Sequence, residues 1–221
     1  SSVGDLSGVE AMIIAVPSAH WEAIDAVCPI LTEEMPVLSL VKGMTSMGEL
    51  VTDALVSRLP FPDQLAVLSG PNLAKEIAQG LPAAAVVASE DEDVSYYFQQ
   101  LMNHHYFRVY TSTDMCGVSW GGTLKNCFAI ASGAVDGLGL GANAKASLLT
   151  RGLQEMTRFA SHMGADPKTI MGLSGVGDLI ATCHSDKSRN YQAGLALAKG
   201  LSSSAILSQS QGVVEGIETT L

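Results

Sequence analysis

The sequence predicts an α/β protein in which a mostly parallel sheet domain, residues 1–118, is followed by an all-helical domain, residues 119–221. Three observations predict it. Short β-rich runs alternate with helical patterns through the first half, those runs are apolar almost without interruption, and strand-like texture stops near Gly117.

The expected strands are Ala11–Val16, Val37–Val41, Ala66–Ser69, Ala84–Val87 and Phe107–Tyr110. Runs such as Met12-Ile13-Ile14-Ala15-Val16 suit strands buried on both faces, as crossover helices require. Pro17, Pro71 and Pro82 stand at run ends, where a missing N–H does not interrupt a ladder. Leu73–Gln79 reads as a helix after the third strand. In the second half the helices are Thr123–Val135, Ala144–Met163, Pro167–Met171 and Asn190–Ala198. Asp166-Pro167 and Asp186 read as helix starts, Gly164 and Gly200 as helix ends. The boundary then falls near Gly117–Gly122 and places Lys125 in the first turns of the helical domain. Ligand clefts favour such seams.

The chain has 221 residues, 47% hydrophobic and 15% charged, enough to pack a core. A net charge of -10 argues against nucleic acid and anionic membrane as partners, so a phosphate ligand needs a local positive site. Cys28, Cys116, Cys127 and Cys183 show no CxxC spacing and read as reduced thiols of a cytoplasmic protein. None of the five histidines has a zinc-ligand pattern with Cys or carboxylates, and no metal is expected. No apolar stretch approaches the roughly 18 residues of a membrane span, and no basic leader precedes an apolar one, so neither membrane insertion nor export is expected. Ser1 stands where an initiator Met would be, which reads as a fragment.

Lys125 is the most informative residue: a cation at the head of an apolar, Gly/Ala-rich helical pattern, in a chain with only 12 Lys+Arg against 22 Asp+Glu. Lys42-Gly43 follows a buried strand, so its ammonium leaves the carboxyl edge of the sheet; a solvated strand-end lysine fits equally well. Ser69-Gly70-Pro71-Asn72 follows another strand and precedes a helix, whose first N–H groups near Asn72 and Ala74 suit an anion. An ordinary turn with Asn72 as N-cap is the plainer alternative. Gly137–Asn143 carries GxGxG after a helix and not a strand, so it reads as a flexible helix–helix connection capped by Asn143, with phosphate binding the lesser alternative. Asp178 and Thr182 stand four apart on one helix face, and Arg189-Asn190 opens the next helix in a form suited to a phosphomonoester. A capping Asp with a surface Arg accounts for the same residues.

Together, Lys42-Gly43, Leu68–Asn72, Gly122-Thr123-Leu124-Lys125-Asn126, Asp136–Asn143, Thr150-Arg151-Gly152, Gly175-Val176-Gly177-Asp178 and Ser188-Arg189-Asn190 resemble NAD(P)-dependent glycerol-3-phosphate dehydrogenase of the bacterial type. The similarity covers nearly the whole chain, and the order and spacing of the motifs are specific. The resemblance implies a Rossmann cofactor domain, a helical substrate domain, NAD(P)H as cofactor, a small phosphorylated substrate, a homodimer and a place in phospholipid biosynthesis. It implies Lys125 as proton donor to dihydroxyacetone phosphate, and Lys42 at the substrate and near the nicotinamide. Gly70 and Asn72 would line the substrate site, and Asp178 and Thr182 would hold the substrate and orient Lys125. Ser188, Arg189 and Asn190 would grip the phosphate, with Arg189 also reaching the cofactor. Ala74, Val213 and Glu215 would lie on the cofactor side.

The family's first strand, GxGxxG and helix have no counterpart before Ala11, and its final helices none after Leu221. These 221 residues alone are therefore expected to bind NAD(P)H poorly, as a cofactor-fluorescence titration would show. Two other readings stay open. One is a catalytically silent, phosphate-binding remnant. The other is a lysine-dependent β-hydroxyacid dehydrogenase or ketopantoate-type reductase, which would place an asparagine one helical turn beyond the lysine, whereas Asn126 is adjacent.

Overall fold

The computed structural model describes residues 8–209 and 213–220. Five strands, β1 (Met12–Ile14), β2 (Val37–Ser39), β3 (Leu65–Ser69), β4 (Ala83–Ala88) and β5 (Phe107–Ser112), form one sheet in chain order. β1, β2 and β3 run parallel, with Met12 opposite Val37 and Val37 opposite Leu65. β4 and β5 are parallel to each other, but β4 meets β3 antiparallel, Leu68 facing Val87. The sheet is thus mostly parallel with one reversal.

The reversal has a local cause. β2 reaches β3 by a crossover containing helix α1 (Val51–Arg58), and β4 reaches β5 through α3 (Glu92–Met102). Between β3 and β4 there is only α2 (Ala74–Ile77), four residues long, too short to carry the chain back for a parallel return.

Alternation of side chains along the strands builds two cores. Val37, Leu65 and Val67 pack on one face with Ile24, Leu55 and Met115. Leu38, Ala66 and Leu68 pack on the other with Val87, Phe98 and Val109. Both faces are covered, which is why these strands read as unbroken apolar runs.

The helical half comprises α4 (Met115–Gly137), α5 (Gly141–His162), α6 (Pro167–Ile170), α7 (Asp178–His184), α8 (Arg189–Ala198), α9 (Ser203–Gln209) and α10 (Glu215–Thr220). Trp120, Ala129, Met156, Ile170, Leu179 and Cys183 form its main core. α4 starts earlier than its sequence suggests, capped by Asp114, whose carboxylate accepts from the Gly117 N–H at 2.7 Å and from the Asp166 N–H at 3.0 Å. Met115 and Val118 join the sheet core, so this one helix crosses the seam and Lys125 lies near the middle of its 23 residues, not in its first turns.

Other punctuation differs in detail. Asp166 caps α6, but α8 is capped by Ser188, not announced by Asp186. Asn143 lies inside α5, which begins without a side-chain cap, and the N-cap position of α2 is Leu73, not Asn72. Gly164 and Gly200 do end helices, with φ of 99° and 85°. No helix among the described residues is long and apolar enough to cross a membrane.

Candidate active site

Three segments bring two cations and an anion to the seam. Lys42 extends from the loop after β2, and Asp178 opens α7, behind a π-helical turn at Leu173–Gly177. Lys42 Nζ donates to Asp178 Oδ2 at 2.7 Å and to the Gly70 carbonyl at 3.3 Å. Lys125, one helical turn beyond Gly121-Gly122, donates to Asp178 Oδ1 and, at 3.0 Å, to Thr182 Oγ1. Thr182 Oγ1 in turn donates to Asp178 Oδ1 at 3.1 Å. Asp178 is 3% exposed, Lys125 10% and Lys42 19%.

The glycines of the sequence explain how α4 comes this close. A Cβ on Gly121 would stand 2.7 Å from the Ser174 carbonyl, and one on Gly122 would stand 2.6 Å from Ser69 Oγ and 3.3 Å from Lys42 Cδ. Any side chain there would push Lys125 off the cluster. Gly70, at φ 149°, is fixed differently: its Cβ would meet the Ala84 carbonyl at 2.8 Å.

Charge and burial set the titration of the cluster. Burial pulls the Lys125 ammonium down to about 8, with Lys42 pressing the same way and Asp178 opposing. For Asp178, burial would raise the carboxyl, but the two ammonium groups outweigh it and hold it below its usual range. The cluster therefore keeps one anion between two cations, one of which is ready to lose its proton.

A second polar group adjoins it. Asn190 Nδ2 donates to Asn126 Oδ1 at 2.8 Å, the Gly216 N–H donates to Asn190 Oδ1 at 2.9 Å, and Asn126 Nδ2 reaches Glu215 Oε2 at 3.4 Å. Asn126 thus joins α8 and α10 directly behind Lys125. Ser188 is buried and accepts from the Tyr191 N–H at 3.2 Å, while Arg189 beside it is exposed. Ala74 sits exposed at the start of α2, whose Glu76 meets Lys187 at 3.0 Å across the mouth of the seam. That exposed pair contributes little to stability. Val213 is half-buried just ahead of α10.

Of the residues singled out in the sequence, Lys42, Gly70, Lys125, Asp178 and Thr182 meet at one point, and Asn190 and Glu215 adjoin it through Asn126. Sequence reading gave no role to Ser69 or Asn126; the signal for Asn126 is its place next to the lysine. A test of fit comes from the polar atoms left over. Ser69 Oγ and both ends of the Asn72 amide are buried without a partner among the described residues. Each such group costs about 1–3 kcal/mol unless something polar meets it. Together with the two ammonium groups, these partnerless donors and acceptors fit an oxygen-rich, anionic ligand and polar groups such as the carboxamide of a nicotinamide.

Comparison with known proteins agrees with that chemistry. The sequence profile for the NAD-dependent glycerol-3-phosphate dehydrogenase N-terminus matches residues 4–95, and that for its C-terminus matches residues 114–221. Glycerol-3-phosphate dehydrogenase (NAD(P)+) of Synechococcus sp. strain JA-2-3B'a(2-13) is 48% identical over 217 residues, covering 97% of this chain and 69% of that protein. The enzyme of the same name from Pseudomonas entomophila is 44% identical, covering 97% of this chain and 63% of its own length. Among solved structures, glycerol-3-phosphate dehydrogenase from Coxiella burnetii superposes with a TM-score of 0.92 at 37% identity, over 99% of this chain and 67% of that one. Profiles matched in both halves, relatives aligned along nearly the whole chain and a shared fold lead to one conclusion: the chain belongs to the NAD-dependent glycerol-3-phosphate dehydrogenase family.

Proposed function

We propose that the Lys42–Asp178–Lys125 cluster is the catalytic centre for the NAD(P)H-dependent interconversion of dihydroxyacetone phosphate and sn-glycerol 3-phosphate. The observation that carries this reading is the state of Lys125, a buried cation held on Asp178 and Thr182 and drawn down to about 8. An acid of that strength keeps its proton at neutral pH yet yields it readily, which a surface lysine near 10.4 does not.

An ammonium has three N–H donors. Lys125 uses one on Asp178 and one on Thr182, leaving the third for a ketone oxygen. Lys42 likewise uses two, on Asp178 and the Gly70 carbonyl. NAD(P)H, when bound, supplies the hydride to the carbonyl carbon. As the C=O electron pair moves onto oxygen, Lys125 transfers its proton there and becomes neutral, to be reprotonated from solvent. Lys42 stabilises the negative charge that grows on the same oxygen. In oxidation, neutral Lys125 takes the hydroxyl proton.

The remaining roles follow from position and from the family resemblance. Gly70 and Asn72 form the floor of the substrate site. Ser188, Arg189 and Asn190, at the start of ten-residue α8, hold the phosphate, for which a guanidinium and free helix N–H groups are suited. Lys42, Ala74, Arg189, Val213 and Glu215 lie on the cofactor side. A homodimer in the cytoplasm belongs to the same proposal.

The pH dependence of kcat/KM in both directions tests it. Reduction needs protonated Lys125, so its rate is expected to be level below about pH 8 and to fall about tenfold per pH unit above. Oxidation needs the neutral amine and should show the mirror image, level above about pH 8 and falling below it. Profiles that bend the same way in both directions would remove Lys125 as the proton shuttle.

A further inference from the structure

Asp136, Lys145 and Tyr191 form a polar cluster at the end of α4 away from the sheet. Lys145 Nζ stands 2.6 Å from Asp136 Oδ2, and the Tyr191 hydroxyl donates to the same oxygen at 2.6 Å. Lys145 Nζ also lies 5.1 Å from the centre of the Tyr191 ring. Three helices meet here: Asp136 is in the last turn of α4, Lys145 near the start of α5, and Tyr191 in the first turn of α8. The hydrogen bond from Lys145, then that from Tyr191, holds the Asp136 carboxyl low, while Asp136 pushes the Tyr191 phenol up to about 12, so it stays a donor.

A carboxylate in the last turn of a helix faces the negative end of the helix dipole and is unfavourable there unless paired. The need for this pin follows from how α8 meets α4. A Cβ on Gly133 would stand 2.0 Å from the Tyr191 carbonyl, and one on Gly194 would stand 1.9 Å from the Ile130 carbonyl. The two backbones touch along a seam of glycines, which gives proximity but few interlocking side chains to fix rotation. Tyr191 immediately follows Asn190 and stands two residues past Arg189.

We propose that Asp136, Lys145 and Tyr191 clamp the first turn of α8 to α4, setting Arg189 and Asn190 relative to Lys125, and so act as positioning residues for the substrate's phosphate. This rests on the reading above that Arg189 and Asn190 grip the phosphate. A phosphate held in register directs the ketone onto Lys125, so binding energy from a remote group serves the chemical step.

Steady-state kinetics of reduction with dihydroxyacetone phosphate and with unphosphorylated dihydroxyacetone separate positioning from general structure. Tyr191→Phe keeps the ring in the seam and removes only the hydroxyl. It is expected to lower kcat/KM for dihydroxyacetone phosphate roughly fivefold to tenfold, with kcat falling as well as KM rising, and to change the value for dihydroxyacetone less than about twofold. Asp136→Asn, which removes the ion pair as well, should show the same selectivity with a larger loss. Equal losses on both substrates, or no loss on the phosphorylated one, overturn the clamp, and thermal melts of both variants show whether equal losses come from unfolding. Arg189→Ala is measured alongside. Without a phosphate-selective loss there, the phosphate-grip reading fails and the clamp with it. A selective loss at Arg189 with none at Tyr191 or Asp136 fails the clamp alone.

Discussion

Lys125→Ala is expected to lower kcat for reduction of dihydroxyacetone phosphate by about 10³- to 10⁴-fold while leaving the dissociation constant for NAD(P)H within about twofold. The size follows from two losses at one atom. General acid catalysis by a placed side chain contributes about 10² to 10⁴, and a fixed cation at the oxygen where charge develops adds a comparable electrostatic factor. The two are not independent, because one ammonium supplies both, so the larger contribution sets the scale. Lys42 keeps its own contact with the oxygen but does not take the place of the Lys125 ammonium, since it stays tied to Asp178 Oδ2 and the Gly70 carbonyl. The fold should tolerate the change, because Asp178 retains Lys42 and the Thr182 hydroxyl. Single-turnover kinetics and a cofactor-fluorescence titration on the same preparation check both halves. Turnover within tenfold of the parent would give the proton to another group, and a silent remnant would show no turnover in the parent at all.

How much of this was legible in the sequence depends on whether local pattern or long-range contact decides. The five strands are legible because burial on both faces leaves unbroken apolar runs, yet the direction of β4 is not, since a run such as Ala83–Ala88 reads alike either way. The start of α4 is hidden by its glycines. Gly117, Gly121 and Gly122 resemble a linker, and each costs a helix about 1 kcal/mol in propensity. They are there because Thr169, Ser174 and Ser69 lie against them, contacts that no local window contains. The same holds for the site. Asp178 and Thr182 are one turn apart and readable as a pair, whereas the Lys42–Asp178 contact spans 136 positions, and the resemblance to a family put both residues at the substrate without pairing them. Asp136, Lys145 and Tyr191 stand on three helices and give no local signal together.

Asp178→Asn separates the two functions of the buried carboxylate: its effect on reduction should grow as pH rises, and its effect on stability as pH falls. The substitution keeps a hydrogen-bonding group of nearly the same shape but leaves two ammonium groups facing each other across it. Lys125 then loses the charge that opposes burial and Lys42, so its pKa moves further below about 8. At neutral pH more of the enzyme holds Lys125 as the neutral amine, and reduction is expected to fall about 10²- to 10³-fold, with its pH limb displaced to lower pH. Oxidation, which uses the neutral amine, should lose less. Stability moves the opposite way with pH. A lysine whose folded pKa lies below the unfolded value binds more protons when unfolded, so stability rises with pH between those two values. In the parent that window opens at about 8, and in the variant it opens lower. Removing one member of a buried pair costs about 3–5 kcal/mol, relieved here as Lys125 sheds its proton. Denaturant midpoints should therefore place the variant furthest below the parent in mild acid and bring the two closer by about pH 9. A gap that stays constant with pH would mean that Asp178 serves by shape and hydrogen bonding alone, and that its charge does not set the acid strength of Lys125.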